Sequence, residues 1–231
     1  VITSLVIVRY KKQFIPLALI SMAIHRLPLA LNKKCSFWKL LGSGKNGTFD
    51  LRPDWQQWGL LSVWESTEAL QEFQQKSVIS KWWRHFTCEK LNIICSVISS
   101  HGKWSGEEPF QAAQEMTQHN GPVAVLTRAT IRLNRLKNFW QNVSPVAAVM
   151  NNAQGFIASI GIGEAPVYKQ ATFSIWASMD DLKAFAYRSV EHSEVIKKTR
   201  LENWYSEELF ARFKIISIEG TLNGKKIDLD L

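Results

Sequence analysis

The chain has little of what would hold a simple metal ion or a nucleotide. Its three cysteines, Cys35, Cys88 and Cys95, show no Cys-x-x-Cys spacing, which excludes a zinc ribbon and covalent c-type haem attachment. No His-x-x-x-His spacing and no clustered carboxylate pattern supports a non-haem metal site. Gly42-x-Gly44 and Gly161-x-Gly163 lack the third glycine and the strand-loop-helix setting of a diphosphate cradle; tight turns after strands are expected there. A long apolar run is missing too. Phe14–Ile24 is eleven residues long, too short to cross a bilayer and preceded by a strand-like segment rather than a basic leader. A buried or peripheral helix is expected instead. The chain opens on Val1 rather than methionine, so a few residues are expected to precede it.

Charge of one sign is mildly in excess, with 28 Lys and Arg against 20 Asp and Glu for a net charge of +8. The basic residues are dispersed, the tightest groups being Lys11-Lys12, Lys33-Lys34 and Lys197-Lys198 beside Arg200. Without a basic tail, nucleic acid is a runner-up as a partner, and an anionic membrane surface is at least as reasonable. Cysteines set among apolar residues read as buried free thiols of a reducing cytoplasm, so the expected location is cytoplasmic, with peripheral membrane contact.

What is abundant is apolar and aromatic. Hydrophobic residues make up 46%, with ten tryptophans and twelve phenylalanines, enough for broad aromatic packing and for a pocket suited to a large planar or apolar ligand. The chain also repeats itself. Leu61-Ser62-Val63-Trp64-Glu65-Ser66, followed by Leu70 and Phe73, returns as Phe173-Ser174-Ile175-Trp176-Ala177-Ser178, followed by Leu182 and Phe185, at an offset of 112. Leu41–Gly44 echoes in Ile160–Gly163 at 119, and Gly102 in Gly220 at 118. At the 112 offset Ser80 faces His192, so the two copies differ chemically.

Strands are expected at Val1–Val8, Cys35–Leu41, Gly59–Trp64 and Leu91–Ser100, from their β-branched and apolar content. Helices are expected from Pro16 to Ala30, bent or ended by Pro28, and from Thr67 to Phe86, capped by Ser66 and broken near Ser77. The order strand, helix, strand, strand, helix, strand then recurs, with strands at Val123–Thr130, Gly155–Ile160, Ala171–Trp176 and Arg212–Glu219. A helix lies within Leu133–Met150, which Pro145 interrupts, and a second begins at Ser178. The fold class is α+β: two ferredoxin-like βαββαβ units closing into a dimeric-α/β-barrel-type fold within one chain. The expected division is residues 1–104, a connector over 105–120, and a haem-bearing half over 121–231.

Phe37-Trp38-Lys39-Leu40-Leu41-Gly42-Ser43-Gly44, Leu126-Thr127-Arg128-Ala129-Thr130 and Trp204-Tyr205-Ser206-Glu207-Glu208-Leu209-Phe210-Ala211-Arg212-Phe213 resemble the spheroidene monooxygenase family of carotenoid-modifying enzymes. The resemblance runs through most of the chain. It implies membership of the dimeric α/β barrel superfamily, which includes haem proteins such as aldoxime dehydratase. It also implies an oxidoreductase with haem b, hydroxylating or ketolating an apolar carotenoid-like substrate with O2 and electrons from a ferredoxin-like donor.

On that reading the axial iron ligand is expected to be His192, placed by helical spacing beside Val195, Ile196 and Thr199; an ordinary helix histidine is the alternative. Arg188 and Arg200 bind a haem propionate or polarise a distal ligand, with Arg128 and Arg132 as alternatives; for each, a salt bridge explains the residue equally well. Trp176, Phe185, Trp204, Tyr205 and Phe213 are the expected wall around a porphyrin or polyene. Since Trp64 occupies the same repeat position as Trp176, plain packing accounts for both. The rival functions are haem binding without turnover, cofactor-independent oxygenation within the same barrel type, and a basic, aromatic-rich binding protein for nucleic acid or anionic lipid.

Overall fold

Ile2–Tyr10 (β1) is buried along nearly its whole length because both of its faces are covered, so the alternation of a half-exposed strand is absent. Leu5 and Ile7 point into one core, and Val6, Val8 and Tyr10 into another. A computed structural model describes residues 1–45, 52–110, 119–165, 167–188 and 197–229, excluding the side chains of 143–148 and 187–188. After β1 come α1 (Ile15–Ile24), α2 (Arg26–Ala30), β2 (Cys35–Gly44), β3 (Pro53–Trp64), α3 (Thr67–Lys76), α4 (Val78–Phe86) and β4 (Thr87–Gly102). The series continues with β5 (Val123–Ile131), α5 (Leu136–Asn151), β6 (Phe156–Ala165), β7 (Lys169–Trp176), α6 (Met179–Arg188) and β8 (Tyr205–Gly220).

The eight strands close into one barrel in the order β1-β3-β2-β6-β7-β5-β8-β4. Each set of four keeps the ferredoxin-like sequence 4-1-3-2, and the sets meet twice, at β4–β8 and β2–β6. A continuous core including Leu5, Leu41, Leu61, Ile93, Leu126, Phe173 and Phe213 fills the barrel. Helices cover its outside.

Local chemistry sets the helix ends. Ser66 and Ser77 accept from Ala69 N and Ser80 N, so the expected break near Ser77 is a second N-cap between α3 and α4. Ser178 accepts from Asp181 N at 3.1 Å, with Asp180 and Asp181 at the positive end of α6. The bend ascribed to Pro28 falls at His25, between α1 and α2, because the proline ring crowds the carbonyl four residues earlier. Helix α5 runs on past Pro145 to Asn151.

Several expectations are corrected. The two Gly-x-Gly pairs are not turns but parts of β2 and β6, where Gly42 pairs with Gly163 and joins the sets of strands. The register shifts at both places, marking bulges. A Cβ on Gly163 would lie 2.7 Å from the Lys169 carbonyl oxygen, so any larger residue there would have to push the backbone of β7 aside. Strands β3 and β8 also begin earlier than expected. Of the three thiols, Cys88 is exposed rather than buried.

Candidate functional site

The sheet registers identify structural twins in the two sets of strands. Ile2 pairs with Trp64 as Val123 pairs with Trp176, and Gly42 pairs with Trp58 as Gly163 pairs with Gln170. Gly42 is therefore the twin of Gly163, not of Gly161 as the sequence echo suggested. The repeated tryptophans keep one structural role. Trp64 Nε1 donates to Ser62 Oγ at 2.9 Å and Trp176 Nε1 to Ser174 Oγ at 3.0 Å. Trp64 packs on Phe73 at 4.8 Å and Trp176 on Phe185 at 5.0 Å.

The helix-facing rows between these anchors differ sharply. In the first set one row reads Val6–Leu60–Leu40; its twin in the second set reads Thr127–Thr172–Gly161. The adjoining residues Val8, Trp58 and Trp38 correspond to Ala129, Gln170 and Ser159. Six bulky apolar side chains are thus matched by small or polar ones. Burial differs at one position of the row: Val6 and Leu60 are sealed under the helices, and Thr172 and Ala129 are buried as well, whereas Thr127, in mid-strand, is exposed.

Aromatic clusters flank Thr127 along β5. On one side Val123 and Val125 pack with Met150, Trp176 and Leu182, and with Phe156 and Phe185 at the margin. On the other, Ile131 packs with Phe139 and Trp204, and with Trp140 and Tyr205. Val125 and Ile131 are six residues apart, roughly 20 Å of strand. In the first set the corresponding space holds one unbroken cluster from Tyr10 to Trp64 and Trp83. The second sheet thus has a floor of small and polar side chains, exposed at Thr127, between two aromatic walls.

Four residues expected to form a cofactor wall stand at these walls: Trp176 and Phe185 at one end, Trp204 and Tyr205 at the other. Burial pushes the Tyr205 phenol up to about 12, against a hydrogen bond with Thr199, so it is protonated at neutral pH. Phe213 points into the barrel instead. Arg200 is exposed on a helical turn over 197–201. His192 and the Arg188 side chain lie outside the described residues.

Arg128 is on the opposite side of the sheet from these walls. Its side chain is 2% exposed and enters the barrel end, bonded to Glu207 and lying 3.4 Å from Glu164. It stacks over Trp104 at 5.4 Å. Trp104 Nε1 donates to Glu164 at 2.8 Å, and Ser105 N and Gly106 N donate to Glu207. Burial pushes the Glu207 carboxyl up, but these N–H groups and the guanidinium outweigh it and hold it below its usual range. At the other barrel end Arg9 is held by Asp54, Gln57 and Asn223 at 2.8–2.9 Å, and Glu89, the twin of Glu207, accepts from Gly224 N. Sequence reasoning noticed Gly102 and Gly220 but not the charged plugs that their turns cap.

Among the described histidines, His25 is buried beside Trp82 and Trp83, while His85 and His101 are exposed. His119 Nε2 lies 3.0 Å from the Pro122 carbonyl. No group of three or more His, Cys, Asp or Glu suited to a metal ion occurs among the described residues. A cavity of about 610 Å3, lined by Val1, Phe37, Trp64 and residues 106–109, lies away from Thr127.

A closed barrel of two βαββαβ sets with one floor stripped of bulk defines a dimeric-α/β-barrel-type protein whose halves have diverged. Comparison with known proteins gives the family. The chain is 32% identical to the spheroidene monooxygenase of Rhodobacter capsulatus over 91% of its own length and 88% of that protein. It is 34% identical to that of Cereibacter sphaeroides over 88% of this chain, spanning 61% of the longer relative. The chain belongs to the spheroidene monooxygenase family. Residues 120–213 also match a domain of unknown function (DUF3291). Among solved structures, an aldoxime dehydratase in complex with butyraldoxime matches with a TM-score of 0.56 at 12% identity, over 95% of this chain and 81% of that one; this shows the shared fold.

Proposed function

We propose that the chain is a monooxygenase that oxidises an apolar, carotenoid-like substrate such as spheroidene above the Thr127–Thr172 floor. The observation that carries this reading is the family likeness across 91% of the chain; the floor between two aromatic walls supplies the place. Hydroxylation of one C–H bond consumes O2, two electrons and two protons and releases water, so an external donor of the ferredoxin type is part of the proposal.

Haem b is the proposed cofactor, and His192 is the residue proposed to hold its iron. The described residues suit a planar apolar group in kind: the side chains at Ser159, Gly161, Thr127 and Thr172 are short or absent, and aromatic walls bound the floor at both ends. When bound, haem would supply the redox chemistry that activates O2. The chain's own contributions are positioning and exclusion of water. Trp176–Phe185 and Phe139–Trp204 are the proposed apolar walls, the Tyr205 phenol is a neutral group at the rim, and Arg200 and Arg188 are the proposed partners for carboxylates of the cofactor. Arg128, committed to Glu207 and Glu164 inside the barrel, has no part in this.

The test is the absorption spectrum of protein reconstituted with hemin, for wild type and His192→Ala, together with O2-dependent conversion of spheroidene. A Soret band and conversion, with the band's ligand signature and the activity both lost in the variant, support the proposal. Conversion without bound haem and unchanged in the variant establishes cofactor-independent oxygenation instead. A Soret band without conversion establishes haem binding alone.

A further inference from the structure

Helices α1 and α2 are built inside out for a protein face that meets water. Their inward positions include Ser21 and His25, both buried, and Tyr10 Oη donates to Ser21 Oγ at 3.2 Å while Trp82 Nε1 donates to Tyr10 Oη at 3.1 Å. Their outward positions are apolar. Leu19, Ile20 and Ile24 are exposed, and Leu27 and Leu31 are 66% and 70% exposed. Residues recurring every three or four positions form one face of a helix, and here that face is apolar and uncovered. The patch continues onto α4, because Val78, 62% exposed, lines a shallow cavity with Ile24, Leu27, Pro28 and Leu31.

Charge identifies the occupant. From Lys11 to Lys34 the chain contains five Lys or Arg and no Asp or Glu. Lys11, Lys12, Arg26 and Lys33 are exposed, and none of them is in a salt bridge among the described residues; Lys34 is held by Glu72 at 2.9 Å. Lys81 is exposed one turn beyond Val78. Lys12–Ala30 is also long and apolar enough to cross a membrane by length and composition, but the break at His25 and the packing of Ala18, Ser21, His25 and Leu29 against the barrel hold it flat on the protein. An apolar strip on the surface, rimmed by unpaired cations, matches the acyl–headgroup boundary of an anionic bilayer.

We infer that the outer face of α1 and α2, with Val78, docks on the surface of an anionic lipid bilayer, its leucines and isoleucines entering the acyl boundary and its lysines meeting headgroup phosphates. The inference stands apart from the oxygenase reading, since vesicle binding is measured without turnover. Wild-type protein is sedimented with phosphatidylcholine vesicles containing or lacking phosphatidylglycerol, alongside Leu27→Glu/Leu31→Glu and Lys12→Glu/Lys33→Glu variants whose folding is checked by near-ultraviolet circular dichroism. The expected result is wild-type binding that prefers phosphatidylglycerol and weakens with salt. The leucine variant should bind at least about tenfold more weakly on both vesicles, and the lysine variant should lose the preference for phosphatidylglycerol. Wild-type protein left in the supernatant with both vesicles overturns the inference, as does undiminished binding of the folded leucine variant. A vesicle-free dimer that the leucine variant converts to monomers also overturns it, by assigning the face to a second copy.

Discussion

Val6–Leu60 and Thr127–Thr172 are the same ladder pair in two copies of one sheet, and they have opposite characters. The first is sealed beneath helices as part of a continuous core; the second is a hydroxyl-bearing floor with Thr127 exposed. Their anchors have not diverged: the Trp–Ser bond and the Trp–Phe packing persist in both. Within a duplicated barrel, one half therefore carries the bulk of a sealed core, while the other carries small or polar side chains at the same positions. Small-for-large exchange normally destabilises by several kcal/mol when it leaves a cavity. A full set of such exchanges across neighbouring strands points to a function that outweighs that cost.

The largest expected effect concerns whether the asymmetry reaches the barrel ends. Arg128→Met leaves Glu207 and Glu164 without their buried partner and should lower unfolding free energy by roughly 3–5 kcal/mol in urea titration. Arg9→Met, at a side chain 23% exposed, should lose about 1 kcal/mol. Equal losses would show that the two plugs are energetically alike.

Next is the dryness of the first helix layer. Burial lowers the His25 pKa from 6.5 to about 4, so the unfolded chain binds the extra proton first as the medium is acidified. Its contribution to stability is present in full above pH 6.5 and is lost as pH falls toward 4, by roughly 3 kcal/mol in all. His25→Gln should flatten that part of the stability–pH curve; an unchanged slope would mean that water reaches the imidazole.

The smallest effect on stability addresses the floor itself. Leu60→Thr should cost roughly 2–3 kcal/mol, whereas Thr127→Phe should change stability by less than about 0.5 kcal/mol and yet suppress substrate conversion by filling the floor. Full activity in Thr127→Phe would move the substrate elsewhere.

The duplicated fold was legible because strand and helix periods, serine caps and the Trp64/Trp176 motif are local signals that the structure keeps. The break near Ser77 and the Ser178 cap are of the same kind. The floor was not legible, because the 119 offset aligned Gly42 with Gly161, whereas pairing with Trp58 and Gln170 makes Gly163 its twin; only sheet register reveals that Leu40 answers to Gly161 and Val6 to Thr127. Arg128 illustrates a second limit. Alternation along β5 alone says that it faces away from Val125 and Thr127, but nothing local tells that Glu164 and Glu207, from two other strands, wait for it inside.

The two junctions of the barrel are unequal. Strands β4 and β8 run together from Leu91–Gly220 to Gly102–Leu209, while the β2–β6 ladder spans Gly42–Gly163 and Ser43–Ile162. The short junction gains two side-chain ties among the described residues, Ser43 Oγ donating to the Gly161 carbonyl at 3.0 Å and Lys39 Nζ lying 3.6 Å from Glu164, while glycine at 163 leaves no side chain there to reinforce them. Closure of the ring thus hangs on a clasp far weaker than its hinge, and amide protons at the clasp should exchange with solvent before those along the hinge.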